Sequence, residues 1–511
     1  MPFIVHLCPI CYTLRMKHTF ALSFIICALC TSCSYAGTSD AQSADGTNAA
    51  GTTAVPDSTL LCGDSAFVSK VAAVMAAATV QTGGGSVYYI APASGSGSDG
   101  GVAGSDNAAG TADAPWATFA HALPLLAAGD TLYVKGGTYT QTMSGALTGT
   151  ADGYITIAAA PGESPVIDGQ GNTVCLCNIT GSSYIQICNI TFKNTGGYKA
   201  SQSSCGVYCG GATNHVIISG CTFSGITVAS PATSDHCANC ILLFGDGTTE
   251  TSSVNNVLVY NNTLTNCATG WAECISAEGN VSSMNVIANT LDTTGNIGID
   301  FSGNYGYCTT ASLDFVRSGL IYGNSVNKCI SSYGDTSYGI YVDGGQHIVI
   351  QANTVTNSMG GIEAGAEQNP SSESYCTAYI TITGNTLTGN TSNGISIGGY
   401  KTSLGWVKSV VVSNNTCRNN GNSSDGAQLT LSKCSGVSIS GNVLCNSGGG
   451  AIVYSAFSAS YTADVSFSGN YFWNGSADGS TSFWWTGKEY SSFSAWKSAC
   501  NSPYAGTYGQ K

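Results

Sequence analysis

One pattern of alternating apolar and polar residues recurs along this chain from about residue 185 towards the C-terminus. Each copy has two or three β-branched or other apolar residues at alternate positions, then a turn, an asparagine and a further apolar pair. A period of two is typical of strands that bury one face, so the pattern predicts an all-β protein built from short strands. The clearest copies are VLVYNNTL, NVIANTL, LIYGNSV, IVIQANTV, ITITGNTL, VVVSNNTC, VSISGNVL and VSFSGNYF.

The asparagine occupies the same place in every copy, and consecutive copies are 27 to 35 residues apart. This spacing is too irregular for a propeller, and the segments are too β-branched for a helical solenoid. It fits the coils of a right-handed parallel β-helix. An asparagine at a corner of such a coil tolerates the left-handed conformation and can bond to its copy one coil further on. We therefore interpret these asparagines as structural; they are Asn262, Asn289, Asn324, Asn353, Asn385, Asn415, Asn442 and Asn470.

Both ends of the array have segments suited to capping a solenoid. Residues 88–101, 115–123 and 129–139 predict a strand, a short helix and a strand, and 491–500 predict an amphipathic helix around Trp496. These segments resemble the opening and the tail of bacterial β-helix proteins of the pectin-lyase-like superfamily, including family 9 polysaccharide lyases. The resemblance implies one β-helix domain over residues 85–505. It does not choose a reaction, because the superfamily contains lyases, hydrolases, epimerases and non-catalytic adhesins.

Composition supports this fold class and excludes some partners. Only 8% of the residues are charged, and the chain has 66 glycines, which suits short strands and polar turns rather than a large helical fold. The formal net charge is −13 with 15 Lys+Arg, so there is no basic stripe for nucleic acid. Acidic polysaccharides are less firmly excluded, because a cation can bridge two acids.

The N-terminal region predicts export. Residues 1–36 have a basic segment followed by the apolar stretch 20–29, which is too short to span ~30 Å of hydrocarbon. Cys33 lies in an approximate lipoprotein box, whereas residues 34–36 form a small-x-small cleavage site. Residues 37–84 are interpreted as a flexible linker and a poorly defined N-terminal segment. We expect an extracellular or cell-surface monomer, whose only membrane contact would be a lipid anchor at Cys33.

The predicted export determines which state is expected for the cysteines. Eighteen of the 23 cysteines follow the predicted signal, and an even number in an exported chain favours disulfides. Two alternatives remain. Several cysteines could simply stack in the solenoid interior. The pairs Cys205/Cys209 and Cys237/Cys240 could instead bind zinc with His215 or His236, although these spacings match no closed zinc signature.

A second strand lies between the asparagine copies and carries the candidate chemistry. Its copies read CISAEG, GIDFSG, GIYVDG, GIEAGA and GISIGG, and their shared isoleucine is taken to point inward. The outward positions then hold Glu278, Asp300, Asp343 and Glu363 on four successive coils. Only 28 residues of the chain are Asp or Glu, so this is a concentration of acids on one face.

Such a cluster suits glycosidic bond hydrolysis. Carboxylates this close raise one another's pKa, which places a proton donor beside an ionised partner. We predict Asp300 and Asp343 as the acid/base pair, supported by Glu278 and Glu363 and requiring no cofactor. A Cα spacing of roughly 8 Å leans towards the inverting geometry. The substrate-binding candidates are Tyr338, Tyr341, Tyr400, Trp406 and Lys401. The alternative is a solvated acidic face whose aromatic residues only cap loops.

A Ca²⁺-dependent lyase is the rival reaction, with the same acids holding the cation. The resemblance to family 9 lyases implies a lysine base in the strand GISIGG, but this chain has Ser396 and Ile397 there. Lys401 and Lys408 in the following loop are the nearest replacements. The third hypothesis is a carbohydrate-binding or adhesion solenoid without catalysis. A polysaccharide or oligosaccharide is the expected partner under all three hypotheses.

Overall fold

The computed structural model describes residues 56–77, 80, 82–95, 101–197, 203–228, 237–332, 337–422, 426–448, 450–455, 457–478 and 483–509. Three sheets of 13 strands each run the length of this part of the chain and enclose one apolar interior. Every pairing between named strands is parallel except the last one of one sheet, where β37 (Phe483–Trp485) and β38 (Lys488–Tyr490) form an antiparallel hairpin. The predicted right-handed parallel β-helix is confirmed. The predicted signal, Cys33 and residues 37–55 of the predicted linker segment lie outside the described residues.

Strands are numbered along the chain, and each sheet takes one strand from every coil. The back sheet contains β1 (Val87–Ile90), β2 (Thr131–Val134), β5 (Ile155–Ala159), β8 (Ser183–Cys188), β11 (Asn214–Ser219), β14 (Val254–Tyr260), β17 (Val281–Ile287), β20 (Arg317–Tyr322), β23 (Gln346–Gln351), β26 (Thr377–Thr383), β29 (Val407–Ser413), β32 (Cys434–Ser440) and β35 (Thr462–Ser468).

The connecting sheet follows the back sheet in each coil. It contains β3 (Gly137–Tyr139), β6 (Pro165–Thr173), β9 (Thr191–Thr195), β12 (Thr222–Ser224), β15 (Thr263–Cys267), β18 (Thr290–Gly295), β21 (Ser325–Ile330), β24 (Thr354–Thr356), β27 (Thr386–Thr388), β30 (Thr416–Arg418), β33 (Val443–Cys445), β36 (Asn470–Trp473) and β39 (Gly506–Tyr508).

The front sheet carries the predicted acids. It contains β4 (Met143–Ser144), β7 (Cys175–Asn178), β10 (Ser204–Gly210), β13 (Ala238–Gly245), β16 (Glu273–Gly279), β19 (Ile297–Ser302), β22 (Tyr338–Asp343), β25 (Gly360–Gly365), β28 (Asn393–Ile397), β31 (Ala427–Leu431), β34 (Ala451–Ser455), β37 (Phe483–Trp485) and β38 (Lys488–Tyr490).

The recurring asparagines form a ladder at the corner between the back and connecting sheets. At each step the backbone N–H and the side-chain Nδ2 of one asparagine donate to Oδ1 of the next, as in Asn262 to Asn289 at 3.0 and 2.9 Å. The ladder continues to Asn470. One detail of the prediction is wrong. The left-handed residue at this corner is the one before the asparagine, for example Asn261 with φ 52° or Ala288 with φ 54°.

Short helices cap both ends, as predicted. Helix α2 (Phe119–Ala122) continues into a 3₁₀ turn, Leu123–Leu125, and buries Phe119 against the first coils. Helix α3 (Phe493–Ala499) buries Trp496 completely, with its ring stacked on Phe483 at a centroid distance of 4.8 Å. Two further 3₁₀ turns, Glu250–Ser252 and Glu373–Tyr375, lie in loops that follow front-sheet strands.

A further helix that the sequence analysis does not predict covers part of the back sheet. After a 3₁₀ turn at Ser58–Leu60, helix α1 (Ser65–Ala76) places Phe67 and Val71 against outward apolar residues of this sheet, including Leu258. Full burial of a side chain of this size contributes about 1.5–3 kcal/mol. The N-cap residue Asp64 accepts from Phe67 N at 2.9 Å, and its other oxygen lies 2.6 Å from Nε2 of His215. This part of the N-terminal segment therefore packs against the β-helix.

The favoured disulfide framework does not form in this structure. All 18 cysteines after the predicted signal are free thiols, and 16 of them are buried. Cys240 donates to the Cys267 sulfur at 3.4 Å inside the core, which matches the alternative of interior stacking. A thiol fits such a position because it behaves as a small apolar side chain. Burial also raises the pKa of the Cys209 thiol to about 12, which keeps it protonated and unreactive.

Within the described residues, none of the helices has both the length and the apolar character needed to cross a bilayer.

Candidate active site

The acids lie on the outward face of the front sheet in the register that the sequence predicts. Ser276 pairs with Asp300, Asp300 with Tyr341, and Tyr341 with Glu363. In the second outward column Ser302 pairs with Asp343, and Ala277 with Phe301 one position before Glu278. The inward isoleucines of the same strands are fully buried. We call the outward face of β16, β19, β22 and β25 the acidic face.

Glu278 shares a serine hydroxyl with an acid that the sequence analysis misses. Ser276 Oγ contacts Glu278 Oε1 at 2.9 Å and Glu273 Oε2 at 3.2 Å, so its single proton lies between two carboxyl groups. Burial raises the pKa of Glu278 to about 7, against the lowering effect of the hydrogen bond from Ser276. Glu278 therefore changes its charge near neutral pH.

Asp343 is held by two donors. The backbone N–H of Glu367 donates to its Oδ1 at 2.8 Å, and the Tyr305 hydroxyl donates to its Oδ2. The same hydroxyl lies 3.2 Å from Glu367 Oε2. Burial, followed by the negative charge of Glu367, raises the pKa of Asp343 to about 8, and both hydrogen bonds oppose this rise. The side chain is 2% exposed.

Asp300 occupies the centre of the acidic face and has fewer hydrogen-bond partners than Asp343. It is 5% exposed, and its Oδ1 is buried without a hydrogen-bond partner in the structure. Burial raises its pKa well above the usual value, and the charges of Glu273, Asp343, Glu278 and Glu367 raise it further. These effects favour the protonated form of Asp300, and one of its oxygens has no protein group to bind.

Glu363 completes the face, together with two tyrosines that are less open than predicted. Burial and the charges of Glu367 and Asp343 raise the pKa of Glu363 well above the usual value. Tyr341 and Tyr338 are both 5% exposed, with ring centroids 6.2 Å apart. Tyr341 lies so close to Gly365 that a Cβ there would be 2.7 Å from its ring. Their faces are therefore not free platforms for sugar rings.

The other three predicted binding residues belong to the loop between β28 and β29. This loop packs beside the one that follows β25, where Asn369 Nδ2 donates to Ser403 O at 2.8 Å. Tyr400 is 42% exposed, with Lys401 Nζ 4.7 Å from its ring centroid. Trp406 has Lys433 Nζ 5.4 Å from its centroid. The structure thus places Tyr400, Lys401 and Trp406 beyond the acids rather than among them.

Sequence reasoning missed three residues of this site, each for a structural reason. Glu273 precedes a break in the strand alternation, since both Cys274 and Ile275 lie in the core. Glu367 follows β25 by two residues, and Tyr305 lies in the loop after β19. Alternation does not determine where loop side chains point. The only available signal was the closeness of these residues to the predicted strands.

The site is strongly acidic. Glu278, Asp300, Asp343 and Glu363 take part in none of the ion pairs found in the described part of the chain. Among the described residues, no group of three or more His, Cys, Asp or Glu side chains is arranged to hold a metal ion. That finding covers the cysteines considered for zinc, whereas His236 lies outside the described residues. The surroundings of Asp300 favour its protonated form, whereas Asp343 accepts two hydrogen bonds that favour its charged form against the effect of burial.

The family comparison supports the predicted resemblance. Residues 100–290 match the model of the Pel9A-like right-handed β-helix region. The three parallel sheets and this match together show that the chain is a right-handed parallel β-helix protein. This β-helix protein is 29% identical over 441 residues to the uncharacterized protein YwoF of Bacillus subtilis, a match that covers 84% of the chain and 88% of YwoF.

Two carbohydrate-active proteins are also similar. Pectate lyase PEL9 of Emericella nidulans is 46% identical over 69 residues, which is 13% of this chain and 17% of that lyase. A lacto-N-biosidase of family GH136 from Eubacterium ramulus superposes with a TM-score of 0.51 at 13% identity, over 76% of this chain. The match spans 64% of the biosidase, slightly less than two thirds, and at this identity it shows the fold alone.

Proposed function

We propose that this protein is an exported glycoside hydrolase, in which Asp300 is the general acid and Asp343 the general base. The observation that carries the proposal is the contrast between these two buried carboxyl groups. Asp343 accepts hydrogen bonds from Tyr305 and from Glu367 N, which favour its charged form. Asp300 has an oxygen without a partner and a pKa raised by burial and by surrounding acids. Acid/base pairs arise where environments separate two carboxyl groups in this way.

In the inverting form of the reaction, Asp300 gives its proton to the glycosidic oxygen as the bond to the anomeric carbon breaks. Asp343 takes a proton from the water molecule whose oxygen forms the new bond to that carbon. The products are an alcohol and a hemiacetal. Before the next turnover Asp343 releases its proton to solvent and Asp300 takes one up from solvent, which restores the starting protonation states. Glu278, Glu273 and Glu367 act through their charge, which raises the pKa of Asp300 and so favours its protonated form.

A calcium-dependent lyase is the second candidate, because the Pel9A-like match and the short match to PEL9 both point to pectate lyases. The described residues do not fit this reaction well. They include no group of three or more His, Cys, Asp or Glu side chains arranged to hold a metal ion. The lysines considered as replacement bases also have other contacts, since Lys408 pairs with Glu373 at 2.7 Å and Lys401 lies over Tyr400.

A screen of the purified protein against a polysaccharide panel, with and without EDTA, separates the candidates. For a hydrolase we expect new reducing ends that do not absorb in the ultraviolet and form equally in EDTA. Unsaturated products that disappear with EDTA would instead establish the lyase. Binding without any cleavage would contradict both reactions and leave a carbohydrate-binding solenoid.

A further inference from the structure

The two outward columns of the front sheet change character at the coil that precedes the acids. Phe244 on β13 pairs in register with Glu278, and Leu242 pairs with Ser276. The same columns that hold carboxyl groups in the later coils therefore hold apolar side chains here. Phe244 is half-buried, so part of its ring remains accessible on an outward face. Accessible apolar surface that continues directly into a polar site is typical of ligand-binding positions.

A tyrosine from the loop that follows β19, two coils further on, extends this apolar surface towards the acids. Residues 303–316 link β19 to β20, and we call them the Tyr305 loop. In this loop, the ring of Tyr307 contacts Phe244 edge-on at a centroid distance of 5.1 Å and stacks on Tyr305 at 5.7 Å. Tyr305 in turn bonds to Asp343. The three rings form a continuous row that begins beside Glu278 and ends at the proposed general base.

The Tyr305 loop is held in place by several hydrogen bonds. Asp314 accepts from Gly306 N at 2.6 Å and from Cys308 N at 2.9 Å. Thr310 Oγ1 donates to Thr248 O at 2.9 Å, which ties the loop to the loop that follows β13. The row of rings is therefore built into the fold, with Tyr307 supported from both sides. A surface that is rigid before the ligand arrives costs less entropy to occupy.

Electrostatics restrict what can bind along this row. Six carboxyl groups lie at its end, and Glu278, Asp300, Asp343 and Glu363 take part in none of the ion pairs found within the described residues. Burial and mutual repulsion already raise the pKa of Asp300, Asp343 and Glu363, so another negative charge would be unfavourable here. A uronic acid chain carries one such charge on every sugar, whereas a neutral sugar offers apolar C–H faces to the rings.

We propose that Phe244 and Tyr307 form a sugar-binding subsite for a neutral glycan, on the side of the acids that faces the N-terminal coils. This inference rests on the proposed function, since it places a substrate across Asp300 and Asp343. The glycan extends along the helix axis from the acids over β13. The specificity is for uncharged hexose or pentose chains rather than pectate or alginate.

Binding can be tested separately from cleavage in the full chain with Asp300→Asn. Calorimetric titration would use neutral cello-, xylo-, arabino- and galacto-hexaoses and, as the charged probe, hexagalacturonate. We expect one of the neutral hexaoses to bind, and Phe244→Ala with Tyr307→Ala to weaken it by about tenfold or more. Phe244→Trp should keep the affinity within about threefold, because it retains an aromatic face.

Tyr379→Ala is the matched control, since Tyr379 is an exposed tyrosine stacked on His347 at 4.6 Å on the back sheet. It should leave the affinity unchanged. The subsite is overturned if the double variant binds as its parent does while keeping its thermal transition, if hexagalacturonate binds more tightly than every neutral probe, or if no neutral probe binds. Absence of cleavage by the unsubstituted protein would overturn the hydrolase alone, because the titrations measure only binding.

Discussion

Two sets of buried polar side chains run along this β-helix, the asparagine ladder and the acidic face. They differ in whether their members form hydrogen bonds with one another. In the asparagine ladder each amide donates to the copy on one side and accepts from the copy on the other, as between Asn324 and Asn353. On the acidic face, carboxyl groups alternate with Ser276, Ser302 and Tyr341 along two columns, and they cannot donate to one another when charged. Asp300 is left with an oxygen that has no partner. A column whose buried polar groups all hydrogen-bond to one another has a structural role. A column that leaves a buried oxygen without a hydrogen-bond partner points instead to a ligand.

The largest expected effect comes from substituting the proposed acid/base pair, Asp300 and Asp343. Asp300→Asn and Asp343→Asn each keep the shape of the side chain but remove proton transfer, so we expect turnover to fall by about 10²–10⁴-fold. The measurement is the initial rate on a polysaccharide that the panel screen identifies. Glu373→Gln is a suitable control, because Glu373 pairs with Lys408 away from the acidic face. Retention of turnover in both Asp variants would refute the assigned pair.

Breaking the asparagine ladder should instead lower the stability of the fold. Asn353 is 1% exposed, and its Oδ1 accepts from Asn324 N and Nδ2, both at 2.9 Å. Asn353→Ala leaves these two buried donors unpaired, and we expect it to lower the free energy of unfolding by about 3 kcal/mol. Chemical denaturation measures this loss. Asn369→Ala, which removes one exposed hydrogen bond to Ser403, should cost under ~0.5 kcal/mol. Equal losses from both variants would contradict the ladder's structural role.

The contrast between the columns also explains what the sequence could predict. The ladder and the strand register depend on period-two alternation and on one repeated asparagine, and both are visible in the sequence. The alternation places Asp300, Asp343 and Glu363 correctly because they lie inside strands. It could not place Tyr305 or Glu367, because loop conformation depends on contacts such as those of Asp314 with the Tyr305 loop. Nor could it show that Tyr341 is covered, since that results from its ring lying on Gly365.

The burial of the acids also predicts how the free energy of unfolding depends on pH. The dependence should be opposite in sign to that of ordinary surface acids. Folding raises the pKa of Glu278 to about 7 and of Asp343 to about 8, above their unfolded values near 4. Their contribution to stability is complete below pH ~4 and is lost as the pH rises towards 7 to 8. We expect the free energy of unfolding to fall over this range, by at most ~1.4 kcal/mol per pH unit for each group.

Denaturation at several pH values would show whether Asp343→Asn flattens this slope, as expected. The control is Asp292→Asn, an acid on the connecting sheet whose side chain accepts from Asn327 at 2.9 Å. It should leave the slope as it is. A slope that Asp343→Asn does not change would mean that the Asp343 carboxyl is not buried in a proton-binding state.

The smallest expected effect concerns the groups that hold the proposed base. The Tyr305 hydroxyl lowers the pKa of Asp343, whereas the charge of Glu367 raises it. Activity requires ionised Asp343, so it falls as the pH drops through this pKa, and that acid limb should lie well above pH 4. Tyr305→Phe should move the limb to higher pH and Glu367→Gln to lower pH, each by about one unit or less. Tyr307→Phe keeps the ring but has no bond to Asp343, so it should leave the limb in place. Shifts of the same sign in the Tyr305 and Glu367 variants would mean that both act by disturbing the loops rather than through the charge on Asp343.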